Sequence, residues 1–392
     1  MPHITVKPFD TSIVLKKKHA STEVLFLAKD TRSDDELIAV EQENESFLLH
    51  LKKSTDTWLF KYDKVTRPLK VNLVKQAIAD LSEAYNLEET QSNITIHQNR
   101  LVRSNKYEKK IEDFSDIDFP FDLVSIEVGF GSGKHLLYQA QKNPDKLFIG
   151  IEIHTPSATQ VLKQIELLEL NNIWVVNYDA RLLLEMIPSN ICSEIYVHFP
   201  VPWDKKPHRR VISTFFLEES MRVLKKNGRL ELRTDSYKYF WYSLDTFLGN
   251  NVSKTSIEIR KNEALAVTSK YEARWLKQEK DIYDVYISSL EHSEERNIDF
   301  NFSLKGISYK KELLDRITYK PLIFEGSFIH FERIFKINDD SILIKLAFGS
   351  FDRPEHKFIY MDEKEAYYFH SNPVKTVTNY KTHLKIMEYL DV

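Results

Sequence analysis

A glycine-rich turn carries the residue types with the clearest chemical meaning in this chain. The apolar segment 123–128 is followed by three glycines at alternate positions and then by an amphipathic segment. The glycines are Gly129, Gly131 and Gly133. A strand, a glycine turn and a helix in this order bring backbone close to a nucleotide-like ligand, because glycine adopts unusual backbone angles and has no Cβ to obstruct the ligand.

The spacing of this turn separates one class of nucleotide site from another. A dinucleotide fingerprint reads G-x-G-x-x-G and a phosphate loop reads G-x-x-x-x-G-K-[ST], whereas the chain has G-x-G-x-G here and no phosphate-loop pattern. Glu127 stands two residues before the first glycine and would attract a cation. S-adenosylmethionine carries both a sulfonium and an ammonium, so it is the cofactor that this turn predicts. The alternative is an ordinary strand-to-helix turn without a ligand.

Two further carboxylates stand where later strands of such a fold end. Glu152 follows a second apolar segment about 20 residues after the last glycine, where a carboxylate accepts hydrogen bonds from adenosine ribose hydroxyls. Asp179 follows a third apolar segment, 173–176, and is placed to accept from the adenine amino group. Asp179 is equally interpreted as the N-cap of a helix over 180–186, and the two roles do not exclude one another.

Positive charge is concentrated in one part of the chain. Residues 200–238 contain ten Lys and Arg residues and five Asp and Glu residues, a local balance of +5, whereas the whole chain has a formal charge of −3. This balance suits phosphate contacts and salt-sensitive RNA binding, and Trp203 could stack on an unpaired base. The alternative is that Trp203 packs in the core and the cations form a solvated helix face.

These residues need a scaffold that brings strand ends together. Short apolar segments alternate with helix-like segments, and two later ones, 194–199 and 229–234, precede the basic block and Asp235. Repeated strand–helix units predict a parallel, doubly wound α/β sheet with its ligands at the carboxyl ends of the strands.

Five segments together resemble the bacterial tRNA (guanine-N7-)-methyltransferases, in a long form with extra N- and C-terminal domains. The segments are 126–133, 149–152, 202–210, 233–235 and 269–272. The Pro-Trp-x-Lys-Lys-x-His-Arg-Arg block and the later Thr-Asp are the specific ones. The resemblance covers about 121–290 and implies a class I S-adenosylmethionine-dependent methyltransferase fold, Rossmann-like, closed by an antiparallel strand over 281–288. It further implies methylation of guanine N7 at position 46, in the tRNA variable loop, to form 7-methylguanosine.

The resemblance also implies roles for individual residues. The cofactor would be held by Glu127, Gly129, Gly131, Gly133, Glu152 and Asp179. The tRNA would be met by Lys205, Arg209, Arg210, Asp235, Ser269, Tyr271 and Glu272. Asp235 is the candidate catalytic residue, since its carboxylate can accept from the guanine N1–H and N2–H₂ groups and so select guanine over adenine.

The chain departs from the family pattern at one chemically important position. The family usually reads Phe-x-Asp-Pro-Trp, but Val201 stands where the carboxylate is expected; more mildly, Ser269 replaces the usual threonine. Guanine N7 has an in-plane lone pair and no proton at neutral pH, so methyl transfer needs no general base and depends chiefly on positioning. Two alternatives stay open: a non-catalytic tRNA-binding protein with a methyltransferase fold, which Val201 favours, and a methyltransferase for another substrate, which the basic block disfavours.

The flanks of the methyltransferase segment read as β-rich. We predict an N-terminal β-rich domain over 1–115, the methyltransferase domain over 116–292 and a C-terminal β-rich domain over 298–392, which a helix over 376–390 closes. Neither flank carries a readable chemical site. They either grip the tRNA body or fix an oligomer, or they only stabilise the core.

Composition excludes several other classes of protein. The single cysteine excludes an intramolecular disulfide, and the 13 histidines lack the spacing of a metal site. The sequence shows no signal peptide and no apolar run near 18 residues, so we expect no membrane span and a cytoplasmic location.

Overall fold

The structure is a computed structural model that describes residues 2–13, 18–68, 70–95, 106–115, 117–249, 254–268, 270–296 and 300–391. The chain divides into two compact units. The central unit comprises residues 104–299 and 374–376, and the flanking unit comprises residues 1–103, 300–373 and 377–392. Each unit is described by itself below.

The N-terminal segment of the flanking unit is mostly antiparallel sheet. Its elements are β1 His3–Val6, β2 Lys18–His19, β3 Thr22–Asp30, β4 Glu36–Gln42, β5 Glu45–Lys52, β6 Trp58–Tyr62, α1 Val71–Ala84 and β7 Glu89–Ser92. Leu73, Val74, Ala77, Ile78 and Leu81 recur at helical spacing in α1 and are buried against the apolar face of the sheet.

Strands and helices alternate through the central unit. Its elements are β8 Glu108–Lys109, β9 Val124–Val128, α2 Lys134–Lys142, β10 Leu147–Ile151, α3 Thr155–Leu167, β11 Ile173–Val176, α4 Ala180–Met186, β12 Cys192–His198, α5 Thr214–Val223, β13 Leu224–Thr234, α6 Tyr237–Leu248, β14 Thr255–Lys261, α7 Lys270–Lys277 and β15 Tyr283–Ser289. The predicted class I methyltransferase fold, a doubly wound α/β sheet, is confirmed.

The order of the strands in the central sheet is β14-β15-β13-β12-β9-β10-β11-β8. Strands β8 to β13 run parallel, and β15 runs antiparallel to β13, as the resemblance implies. The edge strand β14, antiparallel to β15, was absent from the sequence prediction. Since the parallel strands end at one edge, Glu127, Glu152, Asp179 and Asp235 lie along that edge or just beyond it.

Two apolar layers cover the central strands and explain why β10 and β11 are apolar throughout. On one face α4, α5 and α6 contribute to a core that includes Ile126 and Ile149. On the other face α2 and α3 cover Phe148, Ile173 and Val175.

Serine N-caps fix where two of the helices begin. Ser213 accepts a hydrogen bond from the Phe216 N–H, and Ser236 accepts one from the Tyr239 N–H, each at 3.2 Å.

The C-terminal segment consists of long hairpins and a closing helix. Its elements are α8 Leu313–Arg316, β16 Leu322–Phe324, β17 Ser327–Asn338, β18 Ser341–Ser350, β19 Glu355–Asp362, β20 Ala366–Phe369 and α9 Val377–Leu390. The alternating sequence of these strands places Ile342, Ile344 and Leu346 on one buried face. The predicted β-rich character and closing helix are confirmed.

The two flanks form one sheet, in contrast to the separate domains 1–115 and 298–392 that the sequence suggested. Strand β17 pairs with β3, with Phe335 opposite Asp30 and Lys336 opposite Lys29. The resulting sheet runs β20-β19-β18-β17-β3-β4-β5-β6-β1-β7. Phe26 on β3 lies 5.5 Å from Phe369 on β20, between ring centroids, so the two halves of this sheet also share an apolar core.

Candidate active site

The glycine loop has the backbone conformation that its sequence predicts. Gly129, Gly131 and Gly133 have φ angles of 72°, 55° and 72°, a left-handed region that favours glycine. At Gly133 a Cβ would also lie 2.3 Å from a methyl group of Val161, so the close packing of α3 on the loop requires glycine there. Gly129 and Gly131 have open space around them. Glycine is favoured there because of the left-handed φ angle, and the missing side chain leaves the backbone accessible to a ligand.

Glu152 joins the end of β10 to the glycine loop. One carboxylate oxygen accepts from the Gly131 N–H at 2.9 Å, and the other accepts from the His154 N–H at 2.9 Å. Each oxygen can accept a second hydrogen bond. The carboxylate is therefore held in one orientation by backbone donors and keeps acceptor capacity for the hydroxyls of a ribose.

Glu127 is buried at the end of β9 and forms an ion pair that the sequence did not reveal. Its side chain is 4% exposed, and Oε2 lies 2.8 Å from Nδ1 of His135, in the first turn of α2. Burial disfavours the charged imidazolium, but attraction to Glu127, the hydrogen bond with it and the more distant charges of Glu231 and Glu272 together outweigh burial and raise the pKa of His135. The only sequence signal was a histidine just after the glycine loop, which does not say where its ring points.

A polar row continues from His135 across the sheet. The His135 and His198 ring centroids are 4.7 Å apart, and Nε2 of His198 lies 2.9 Å from Oε1 of Glu231. Burial alone would raise the pKa of Glu231, but the hydrogen bond from His198 and the positive charges of His198, Arg229 and His135 together outweigh burial and lower it. A cavity of about 430 Å³ lies against this row and is lined in part by Tyr196 and Arg260. Two histidines thus separate the carboxylates of Glu127 and Glu231.

Asp179 caps α4, as predicted. Its Oδ1 accepts from the backbone N–H of Arg181 at 3.0 Å, and its Oδ2 lies 2.6 Å from a guanidinium nitrogen of the same arginine. The side chain stays partly exposed at the edge of the sheet. The capping interpretation is confirmed, and the adenine role stays a prediction.

The basic loop after β12 is exposed. Phe199 and Trp203 have positive φ angles, 48° and 45°, which are strained for residues with large side chains. Trp203 is 37% exposed and lies under the Arg209 guanidinium at 5.1 Å from the ring centroid, so it is not a core residue. Lys205 is exposed, and Val201 is 60% exposed. The strained backbone presents this loop outward.

The two arginines of the basic block have different surroundings. Arg209 is exposed, whereas Arg210 is 8% exposed and donates from Nε to the Pro202 carbonyl at 2.7 Å. The Arg210 guanidinium also lies 4.2 Å from the Tyr242 ring centroid on α6. Arg210 therefore fastens the loop to α6, and Arg209 is the better placed of the two to meet a phosphate.

Asp235 directly follows β13, and its carboxylate contacts a lysine. Its Oδ2 lies 2.9 Å from Nζ of Lys280, which also lies 3.6 Å from the Trp275 ring centroid. The Asp235 carboxylate is partly buried and its charge is partly balanced. A group that presents N–H donors could therefore replace or share this contact.

A buried arginine, which the sequence did not single out, links β13, β15 and α7. Arg233 is 1% exposed, and its two terminal nitrogens lie 2.6 Å from Glu272 Oε1 and 2.6 Å from Asp284 Oδ1. Burial raises the pKa of Asp284 in spite of the arginine. Glu272 is 3% exposed, so its carboxylate holds α7 to the sheet.

For Ser269 and Tyr271, two other predicted substrate residues, the structure gives no side-chain contacts. Ser269 lies outside the described residues, and of Tyr271 the structure describes only the backbone, in α7. In the part of the chain that the structure describes, no group of three or more His, Cys, Asp or Glu side chains is arranged to hold a metal ion. No described helix is long and apolar enough to cross a membrane.

Comparison with known proteins agrees with this geometry. A family model described as "Putative methyltransferase" matches residues 122–285. A tRNA (guanine-N(7)-)-methyltransferase of Campylobacter jejuni strain RM1221 is 40% identical, and the match covers 94% of this chain and 94% of that protein. A protein of the same name from Helicobacter pylori is 40% identical over 100% of this chain and 98% of its own length.

A solved structure of an antibiotic-related methyltransferase also matches. It is 20% identical, and the match covers 46% of this chain and 98% of that one with a TM-score of 0.34.

Proposed function

The chain belongs to the tRNA (guanine-N(7)-)-methyltransferase family, and we propose that it methylates guanine N7 at position 46, in the variable loop of tRNA. S-adenosylmethionine is the methyl donor of this family's fold. The observation that carries the proposal is that one edge of the sheet has two chemically different halves. Carboxylates and a glycine loop lie at the ends of β9, β10 and β11, whereas an exposed basic loop follows β12 and Asp235 follows β13.

The cofactor side of the edge fits S-adenosylmethionine by the chemistry of its groups. When bound, the cofactor supplies an electrophilic methyl group on a sulfonium. The left-handed glycine loop gives backbone access, the oriented Glu152 carboxylate accepts from ribose hydroxyls, and Asp179 accepts from the adenine amino group. Glu127 lies next to the loop and would favour a cationic ligand there with the part of its charge that His135 does not balance.

The substrate side selects the base and places it. Asp235 accepts from N1–H and N2–H₂ of guanine; adenine has no N1–H, so it makes no such pair. Lys205 and Arg209 contact phosphates of the RNA backbone. Guanine N7 carries an in-plane lone pair and no proton at neutral pH, so the protein would not have to remove a proton when N7 accepts the methyl group that the cofactor would supply.

Positioning therefore contributes most of what the protein does in this reaction. Well-oriented reactants contribute on the order of 7–11 kcal/mol to lowering a barrier. Val201, in the place of the usual carboxylate, lies in an exposed loop and is compatible with this chemistry because no general base is required.

The proposal is tested by transfer of a radiolabelled methyl group to unmodified tRNA transcripts. One transcript carries guanine at position 46, and a matched transcript carries adenine there. We expect label in the first only, released on nuclease digestion as 7-methylguanosine, and strand cleavage by a 7-methylguanosine-specific chemistry at position 46.

Three results would contradict the proposal. Equal labelling of both transcripts would place the methyl group on another nucleotide. No label, together with tight binding of cofactor and tRNA, would make the chain a non-catalytic tRNA-binding protein. No label and no tRNA binding, with cofactor binding intact, would indicate a methyltransferase for another substrate.

A further inference from the structure

Two large aromatic side chains are exposed on helix α6, beside the end of β13. Tyr237 is 56% exposed and Trp241 is 45% exposed, and their ring centroids lie 6.0 Å apart in an edge-to-face arrangement. They are four residues apart, so they share one face of the helix. Among the described Phe, Tyr and Trp residues of the central unit, the exposed ones are these two and Trp203.

The aromatic pair packs against one buried ring and one partly buried ring. Phe240, 6% exposed, stacks on Tyr283 with ring centroids 4.9 Å apart, and Tyr283 lies 5.7 Å from Tyr237. Tyr283 begins β15 and is paired in register with Thr234, the last residue of β13. The exposed pair is therefore fixed next to the strand end that leads into Asp235.

The charges near the pair are complementary to a polyanion. Lys238, in the first turn of the same helix, is exposed, and Lys280 contacts Asp235. β13 lies between β12 and β15 in the sheet. Asp235 thus lies between the aromatic pair on the β15 side and the exposed basic loop, which includes Lys205, on the β12 side.

The exposed apolar surface is small for a protein partner. Tyr237 and Trp241, together with the exposed Leu248 at the end of the same helix, offer on the order of 300 Å², whereas a stable protein–protein interface buries more than about 1,000 Å² in total. Stacking of bases on aromatic side chains, with cations beside them, is how single-stranded RNA is bound. Surface area and charge both favour RNA over a second copy of the chain.

We infer that Tyr237 and Trp241 form a stacking surface for an unpaired nucleotide next to the target guanine. This inference rests on the proposed function, because it takes the occupant to be a single-stranded segment of the substrate RNA. Stacking on the β15 side and phosphate contacts on the β12 side would fix the strand on both sides of Asp235. The rings act through binding and do not touch the reacting atoms.

The test compares Tyr237→Ala and Trp241→Ala with the wild-type protein on the guanine-46 transcript. We expect KM for the transcript to rise about tenfold in each variant, kcat to stay within about twofold and the cofactor Kd to stay unchanged. In Tyr237→Phe and Trp241→Phe the KM should stay close to the wild-type value, because an aromatic face for stacking is retained. Leu167→Ala, at an 81% exposed site on α3, is the matched control and should leave all constants unchanged.

A second measurement changes the RNA and not only the protein. Transcripts that lack the base of the nucleotide on either side of the target are assayed with the wild-type protein and with both alanine variants. We expect one such transcript to raise the wild-type KM about tenfold and to add little further loss in Trp241→Ala. This arm does not depend on how well the alanine variants fold.

The outcomes separate this inference from the proposed function. An inactive wild-type protein would refute the proposed function itself. An active wild-type protein whose alanine variants and base-lacking transcripts behave like the originals would refute the stacking surface alone. An unchanged KM together with altered sedimentation of the alanine variants would also overturn it, and would assign the pair to contact with a second copy.

Discussion

The two halves of the carboxyl edge of the central sheet are built from contacts of different range. On the cofactor half, Glu127, Glu152 and Asp179 bond to residues 8, 21 and 2 positions away in the chain. On the substrate half, Arg233 bonds to Glu272 and Asp284, which are 39 and 51 positions away. Contacts that span about 20 residues or fewer orient the first half, whereas the second requires α7 and β15 to be docked on β13.

This difference in contact range is consistent with one half for the cofactor and the other for the RNA substrate. A small cofactor suits a half that is built from contacts between residues close in the chain. A tRNA requires a wider surface, and the proposed substrate half would supply it from a strained loop, a strand end and two later elements. The experiments below test this division, from the largest expected effect to the smallest.

Removing the arginine that joins the substrate half should have the largest effect. In Arg233→Met two buried carboxylates lose their common cation, and we expect the free energy of unfolding to fall by about 3–5 kcal/mol. Denaturant titration measures the loss. Arg229→Met, at a site on the same strand whose side chain is 46% exposed, is the control and should lose less than about 1 kcal/mol. A loss below 1 kcal/mol in Arg233→Met would contradict the role of this contact.

The ion pair on the cofactor half should appear as a pH dependence of stability. Burial lowers the folded-state pKa of His135, but attraction to Glu127, the hydrogen bond with it and the charges of Glu231 and Glu272 together raise it above the ordinary value. A raised pKa stabilises the fold fully below the unfolded pKa of about 6.5. That contribution is lost as the pH rises through the higher folded pKa.

The comparison is between wild-type protein and His135→Gln. The stability difference should be greatest below pH 6.5 and should shrink as the pH rises above that value. Denaturant titrations at several pH values measure it. A difference that grows toward high pH would show that the pair does not hold a proton in the folded state.

The exposed basic loop should give the smallest effect. In Lys205→Ala one phosphate contact is lost, and we expect the slope of log K for tRNA binding against log salt to fall by about 0.7–0.9. Lys163→Ala, at an exposed site on α3, should leave the slope unchanged. An unchanged slope in Lys205→Ala would remove this lysine from the RNA interface.

The sequence predicted the cofactor half better than the substrate half, for a physical reason. Glycine angles after β9 and the N-cap at Asp179 depend on neighbours in the chain, so spacing alone reveals them. The Arg233 contacts could not be predicted, because a buried arginine and an exposed one look alike in a sequence. For the same reason the basic block gave no means of separating Arg209 from Arg210.

The flanks show the same limit on a larger scale. Alternation of apolar residues predicted their strands, since each strand buries one face. The pairing of Phe335 with Asp30 joins residues about 300 positions apart, and nothing local specifies it. The edge strand β14, only partly buried, lacked the apolar run that would have predicted it.

One crossed measurement tests the division of the sheet edge most directly. Glu152→Gln and Asp235→Asn each remove a charge with little change of shape, and cofactor Kd and kcat/KM for the guanine-46 transcript at saturating cofactor are measured for both. The account predicts that Glu152→Gln raises the cofactor Kd at least tenfold and leaves the transcript's kcat/KM within about threefold. Asp235→Asn should lower kcat/KM at least tenfold and leave the cofactor Kd unchanged. If either variant impaired both quantities to the same extent, the two halves would not be separate sites.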